Sequence, residues 1–179
     1  MASVAEPAAA RAGKRQGKYL IFQLEREEFG VQVLKVREIM GLQEITSVPR
    51  TPAFVKGVIN LRGKVIPVVD LRLKFGLESA DYTQRTCIIV TQLNEAGGPL
   101  LMGVVVDGVS EVLSIQEEQI EDTPDFGAEL TLPYLLGMAK VRGKVKMLLD
   151  IDRVLATQEV CGLPALPGLR AGEGTEAGA

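Results

Sequence analysis

Gly57-Val-Ile-Asn-Leu-Arg-Gly-Lys-Val-Ile-Pro-Val-Val-Asp-Leu71 occurs a second time, altered, as Gly137-Met-Ala-Lys-Val-Arg-Gly-Lys-Val-Lys-Met-Leu-Leu-Asp-Ile151. At a shift of 80, six of the fifteen pairs are identical: Gly57/Gly137, Arg62/Arg142, Gly63/Gly143, Lys64/Lys144, Val65/Val145 and Asp70/Asp150. Each stretch reads as two short apolar strands about an Arg-Gly-Lys turn, where the glycine supplies the positive φ of a tight hairpin. Each then ends on an Asp that opens a possible helical turn. Upstream, Phe29 to Met40 matches Met102 to Leu113 at a shift of 73, with Gly30/Gly103, Val31/Val104, Val33/Val106, Val36/Val109 and Glu38/Glu111 identical. The two shifts differ by seven residues, so an insertion of that size falls between Ser114 and Gly137.

The body is thus two copies of one β unit, too few for a solenoid. Lys18 to Glu25 and Phe29 to Val33 read as strands, and Thr86 to Leu93 with Leu100 to Val106 as another hairpin. Helical pattern is scarce, with Leu34 to Met40 and the segments after Asp70 and Asp150 the best cases. Pro67 removes a ladder donor, so its strand is expected at a sheet edge. Short strands between frequent turns predict an all-β chain of small barrels or a sandwich. Two similar barrels about a pseudo-twofold axis, with a groove between them, are the simplest arrangement. Met1 to Gly17 is expected to be a disordered lead. Residues 158–179 are expected to be a disordered tail, too rich in Gly, Pro and Ala to offset their ordering entropy. The folded part is then 18–157, with one subdomain on each side of roughly residue 80.

Composition excludes several chemistries. The 179 residues contain no His, so no Ser–His or Cys–His nucleophile pair and no imidazole ligand is available. The two cysteines, Cys87 and Cys161, form no CxxC, and both are expected to be incidental. A net charge of −3 and 4% aromatics suit neither a nucleic-acid face nor base stacking. No apolar run reaches the ~18 residues of a membrane span. Asp70 and Asp150 occupy equivalent positions and invite comparison with a shared-proton carboxylate pair. Their place between a strand and a helical turn favours N-caps instead. Glu117, Glu118, Glu121, Asp122 and Asp125 read as a solvated acidic loop, without EF-hand spacing.

Val36-Arg-Glu-Ile-Met-Gly41, Thr51 to Gly63, Pro67-Val-Val-Asp-Leu-Arg72 and Val104 to Ser114 together resemble the CheW family of bacterial chemotaxis coupling proteins. The likeness runs from about 18 to 157 without a large gap. The regulatory domain at the C-terminus of the CheA histidine kinase shares the pattern. Because this chain shows no kinase, phosphotransfer or receiver segment, it looks like the stand-alone adaptor. The resemblance implies two intertwined five-stranded SH3-like barrels and a cytoplasmic, non-enzymatic scaffold without cofactor, metal, nucleic acid or direct membrane insertion. It implies two partners, at receptor arrays on the inner face of the membrane: the cytoplasmic tip of methyl-accepting chemoreceptors and the regulatory domain of a CheA-type kinase. The receptor-binding positions carried over are Val33, Val36, Glu38, Ile39, Gly57, Asn60, Leu61 and Arg62, in the groove between the barrels. A coupling protein for gliding, pilus motility or development is the alternative; an enzyme using Asp70 and Asp150 is the more distant one.

Overall fold

The computed structural model describes residues 15–78, 80–95, 98–122 and 134–155. Among these, the first copy of the repeat supplies β1 (Gly17–Leu24), β2 (Glu27–Gln32), β3 (Val36–Gly41), β4 (Val55–Leu61), β5 (Lys64–Asp70) and α1 (Leu71–Lys74). The second supplies β6 (Cys87–Glu95), β7 (Gly98–Val106), β8 (Gly108–Ile115), a two-residue β9 (Ile120–Glu121), β10 (Leu135–Val141), β11 (Lys144–Leu149) and α2 (Ile151–Val154). Arg62 and Gly63 have φ of 51° and 87°, and Arg142 and Gly143 have 53° and 77°. Two positive φ values in a row match the type I′ turn, whose twist suits a two-residue hairpin.

The strands form two sheets with the orders β8-β1-β2-β11-β10-β9 and β3-β6-β7-β5-β4. By the repeat, β1 and β2 correspond to β6 and β7, β3 to β8, and β4 and β5 to β10 and β11. The two orders are therefore the same, with the hairpins exchanged. Each sheet takes the first two strands of one copy, β1 and β2 or β6 and β7, and the remaining long strands of the other. The chain crosses over through a 3-10 turn at Val33–Lys35, and crosses back at Asp107. The parallel registers agree as well: Leu148 lies opposite Gly30 in one sheet, and Val68 opposite Gly103 in the other. The expected pair of SH3-like barrels is present; we call the sheet holding β1 the first barrel and the sheet holding β6 the second. The expected divide near residue 80 falls between β5 and β6, both in the second barrel.

Strand alternation divides the apolar side chains among three clusters. Tyr19, Ile21, Ile115, Ala139 and Leu148 fill the first barrel. Ile59, Ile66, Val68, Ile88, Val90 and Val105 fill the second, so Val105 points inward. The intervening residues Leu20, Phe22 and Leu24 face the other way, into the largest cluster, with Val69, Leu71, Ile89, Val104, Leu149 and Ile151. That cluster draws on both sheets and holds them together. Beside that cluster lies a cavity of about 240 Å³ whose lining includes Phe29, Phe75, Tyr134, Met138 and Met147.

Other expectations also change. Leu34 to Met40 is not a helix; beyond the 3-10 turn it is β3, whose burial alternates residue by residue and whose ladder is completed by β6. Pro67 is not on an edge strand, because β5 lies between β4 and β7. It is tolerated because the parallel ladder with β7 begins one residue later, at Val68. The lead expected over residues 1–17 extends too far. Arg15 is 5% exposed and its guanidinium pairs with Glu117 and Asp122. The tail expected over 158–179 lies outside the described residues.

Candidate docking site

β3 and the β4–β5 hairpin carry the expected docking residues. Glu38 and Ile39 lie on β3, Gly57, Asn60 and Leu61 on β4, and Arg62 on the turn that follows. The Arg62 guanidinium donates to both Glu38 carboxylate oxygens, and this hydrogen bonding holds the Glu38 carboxyl below its usual range. The Asn60 carboxamide oxygen accepts from the Gly63 N–H at 2.8 Å, which fixes the turn that presents Arg62. Ile39, the next residue of β3, and Val65, at the start of β5, are 46% and 68% exposed. An exposed ion pair contributes little to folding, and exposed apolar side chains on the same strands suit the region to recognition.

The other expected residues act from beneath. Val33 and Val36 pack against the central cluster and seat the crossover. Leu61 packs against the second barrel's interior. Gly57 has a backbone role: at φ 140° a Cβ there would lie 1.9 Å from the Thr46 carbonyl oxygen. That close approach lets Thr46 bridge to Val58 beside β4. Gly137 does the same for β9, where a Cβ would meet Glu121 O and Ile120 at 2.8 Å.

The first barrel repeats the surface. Arg142 Nη1 donates to Glu111 Oε2 at 3.5 Å. Val112 and Val145, the counterparts of Ile39 and Val65, are 54% and 49% exposed. These four residues, with Leu34 and Tyr82, are the large apolar side chains exposed among the described residues. The second surface was not singled out from the sequence, although the identities Glu38/Glu111 and Arg62/Arg142 held its signal.

The two equivalent aspartates stand apart from these surfaces. Asp70 Oδ1 accepts the Arg72 N–H at 2.9 Å and Oδ2 accepts the Tyr82 hydroxyl at 3.0 Å, which caps α1 and ties down the following loop. Asp150 caps α2 through the Arg153 N–H, and burial raises its pKa. Each carboxylate is thus engaged by its own helix start. Of the acidic loop, Glu117 and Asp122 are taken up by Arg15, and Glu121 by Lys140 at 3.0 Å. Asp125 lies outside the described residues. Cys87 is half-buried, and burial pushes its thiol pKa up. Cys161 is outside the described residues.

Comparison with known proteins agrees with this architecture. The CheW-like domain family matches residues 18–159. The "Chemotaxis protein CheW" of Klebsiella aerogenes is 41% identical over 150 residues, covering 83% of this chain and 88% of that protein. "Protein FrzA" of Myxococcus xanthus is 29% identical over 154 residues, covering 84% and 92%. The crystal structure of the scaffolding protein TtCheW from Thermoanaerobacter tengcongensis superposes with a TM-score of 0.69 at 32% identity, covering 79% of this chain and 93% of that one. None of the described helices is long and apolar enough to cross a membrane. The family match spans all the described strands but the first residue of β1, and the chain belongs to the CheW-like domain family, a family of non-catalytic scaffold proteins.

Proposed function

We propose that this chain couples the cytoplasmic tip of methyl-accepting chemoreceptors to a CheA-type histidine kinase, as a cytoplasmic adaptor held at receptor arrays by those two partners. The carrying observation is the duplicated surface. An adaptor must hold two partners at once, and this fold presents Glu38–Arg62 with Ile39 on one barrel and Glu111–Arg142 with Val112 on the other. The Glu38–Arg62 face, with Val33, Val36, Gly57, Asn60 and Leu61 supporting it, takes the receptor. The Glu111–Arg142 face takes the regulatory domain of the kinase. Apolar contact supplies affinity, and the ion pairs fix orientation and exclude wrong partners.

The test is kinase autophosphorylation in membranes carrying receptor and CheA, with and without this protein. Coupling requires that phosphotransfer rise on addition and respond to receptor ligand; no change with folded protein and receptor-competent membranes refutes it. Arg62→Glu places like charges together and should abolish receptor capture without changing the melting temperature.

The similarity to Protein FrzA favours a second reading, in which the same adaptor serves gliding, pilus motility or development. Identifying the receptor that co-purifies with the chain separates the two circuits.

A further inference from the structure

We propose that the chain carries its own ligand: Leu163-Pro-Ala-Leu-Pro-Gly-Leu-Arg170, beyond the described residues, docks as a polyproline II segment into the aromatic cavity beside the central cluster, with Arg170 on the carboxylates at its mouth. This goes beyond the coupling reading and does not rest on it.

Phe29, Phe75 and Tyr134 stand in a row along the cavity, with successive ring centroids 5.7 and 5.5 Å apart. Met138 and Met147, opposite each other across β10 and β11, complete the wall. At about 240 Å³ the space exceeds the roughly 150 Å³ that accepts a benzene ring. Exposed Glu25 and Glu27 also line it and so stand at its mouth. Glu25 pairs with Arg72 at 3.4 Å, and Asp107 takes the same guanidinium at 2.6 Å. Glu27 has no ionic partner among the described residues. With Arg26 the other cation there, the carboxylates are in excess. The repeat shows that the barrel itself does not require this wall. Shifts of 80 and 73 pair Phe75 with Leu155, Met138 with Val58, Met147 with Pro67 and Phe29 with Met102. Tyr134 pairs with Phe54, and there Lys74 lies over the ring, 4.8 Å from its centroid.

The tail holds what such a wall recognises. Leu163, Leu166 and Leu169 recur every third residue, and so do Pro164, Pro167 and Arg170. A polyproline II helix has three residues per turn, so each set lines one edge. Pro164 and Pro167 form a PxxP element, the kind that docks in aromatic-lined grooves because its conformation is largely preset. Its leucine and proline side chains meet the rings of Phe29, Phe75 and Tyr134. Arg170, one turn past Pro167 and so about 9 Å along the segment, then meets Glu25 and Glu27. Eight residues lead from Leu155 to Leu163, an extended reach of about 26 Å. Leu155 belongs to the central cluster on which Phe75, Tyr134, Met138 and Met147 pack, so the tail starts beside the cavity's wall. A tether this short sets an effective concentration in the mM range, so a weak contact suffices to hold the segment in place.

The experiment uses the full chain with methyl-labelled methionine and a nitroxide on Cys161, with Cys87→Ala leaving that thiol as the sole target. In dilute solution the methyl signals of Met138 and Met147 should lose most of their intensity to paramagnetic broadening. That of Met40, packed on the second barrel's interior, should keep it. Pro164→Ala with Pro167→Ala should restore both signals. Glu27→Lys and Arg170→Glu should each restore them in part, and the two combined should bring the broadening back, because the charges again attract. Undiminished Met138 and Met147 signals, an equal loss at all three methyls, or broadening that survives the proline substitutions would overturn the proposal. Broadening seen only when nitroxide-labelled chains are mixed with separate methyl-labelled ones would give the cavity to a second copy's tail and overturn the contact within one molecule.

Discussion

The interiors of the two barrels differ at one equivalent place. In the second barrel Ile66 is buried and Leu101 packs against the same cluster. In the first, the repeat puts Lys146 and Glu28 there, opposite each other across the parallel pair of β2 and β11. Lys146 is 4% exposed, its ammonium donates to Glu28, and the Ser110 hydroxyl donates to Glu28 as well. One backbone arrangement thus accepts an apolar pair and an ionic one. What the copies do share is elsewhere: the Arg-Gly turns, the Asp caps, and glycines where another backbone comes close. Those positions define the barrel, while its interior is free to vary if each pair is internally satisfied.

The largest expected effect tests the purely apolar interior. Val105→Asp buries an unpaired carboxylate among Ile59, Ile66 and Val90 and should cost more than about 4 kcal/mol, leaving no cooperative transition by circular dichroism. Retained cooperative melting would show that this barrel admits charge as readily as the other.

The glycines come next. Gly57→Ala meets a carbonyl at 1.9 Å from a strained φ, whereas Gly137→Ala meets its neighbours at 2.8 Å. Urea denaturation should show losses of about 3 and about 1 kcal/mol, in that order. Receptor binding lost in Gly57→Ala would then be lost through the displaced backbone. Equal losses would contradict the difference in closeness.

The ionic pair itself gives a smaller effect and a pH signature. Lys146→Ala leaves Glu28 half-covered without its cation and should cost about 2 kcal/mol, discounted for Glu28's residual exposure. Glu28→Leu with Lys146→Ile copies the second barrel and should recover most of that. In the wild type, hydrogen bonding from Lys146 holds the Glu28 pKa below 4.5. A lowered folded-state pKa gives stability that is present above the unfolded value and lost as pH falls through the folded one. Acid titration below pH 4.5 should therefore narrow the gap between wild type and the apolar double variant; a gap unchanged with pH would assign the pair no electrostatic role.

Smallest for stability, Arg62→Ala and Arg142→Ala should both melt with the wild type, because both side chains are exposed. They should part in function: the first impairs receptor capture, the second kinase capture, in paired pull-downs. Loss of both partners by either variant would mean that the two faces are not separate sites.

Part of the candidate site's geometry was legible in the sequence: Glu38 and Arg62 stand together, and Asn60 supports the turn that carries Arg62. Val33 and Val36 pack on the central cluster and Gly57 is a point of close approach, placements that depend on that cluster and on the opposing Thr46 backbone. Leu34 was read only as part of a helical pattern, since its exposure follows from the crossover.

The sequence by itself determined the β class, the repeat, the two Arg-Gly hairpin turns, the Asp-headed helical turns and the family. These are encoded by residues close in the chain, through φ preference, alternation and capping. Only the tertiary structure decided that the hairpins are exchanged between barrels, that 36–41 is a strand, that Pro67 lies inside a sheet, and that Lys146 and Arg15 are buried. Each of those depends on which distant strand completes a ladder or covers a side chain. Two copies of the same strand pattern offer each hairpin equivalent partners, so pattern cannot choose between them; the short crossovers at Leu34 and Asp107 and the shared central core do.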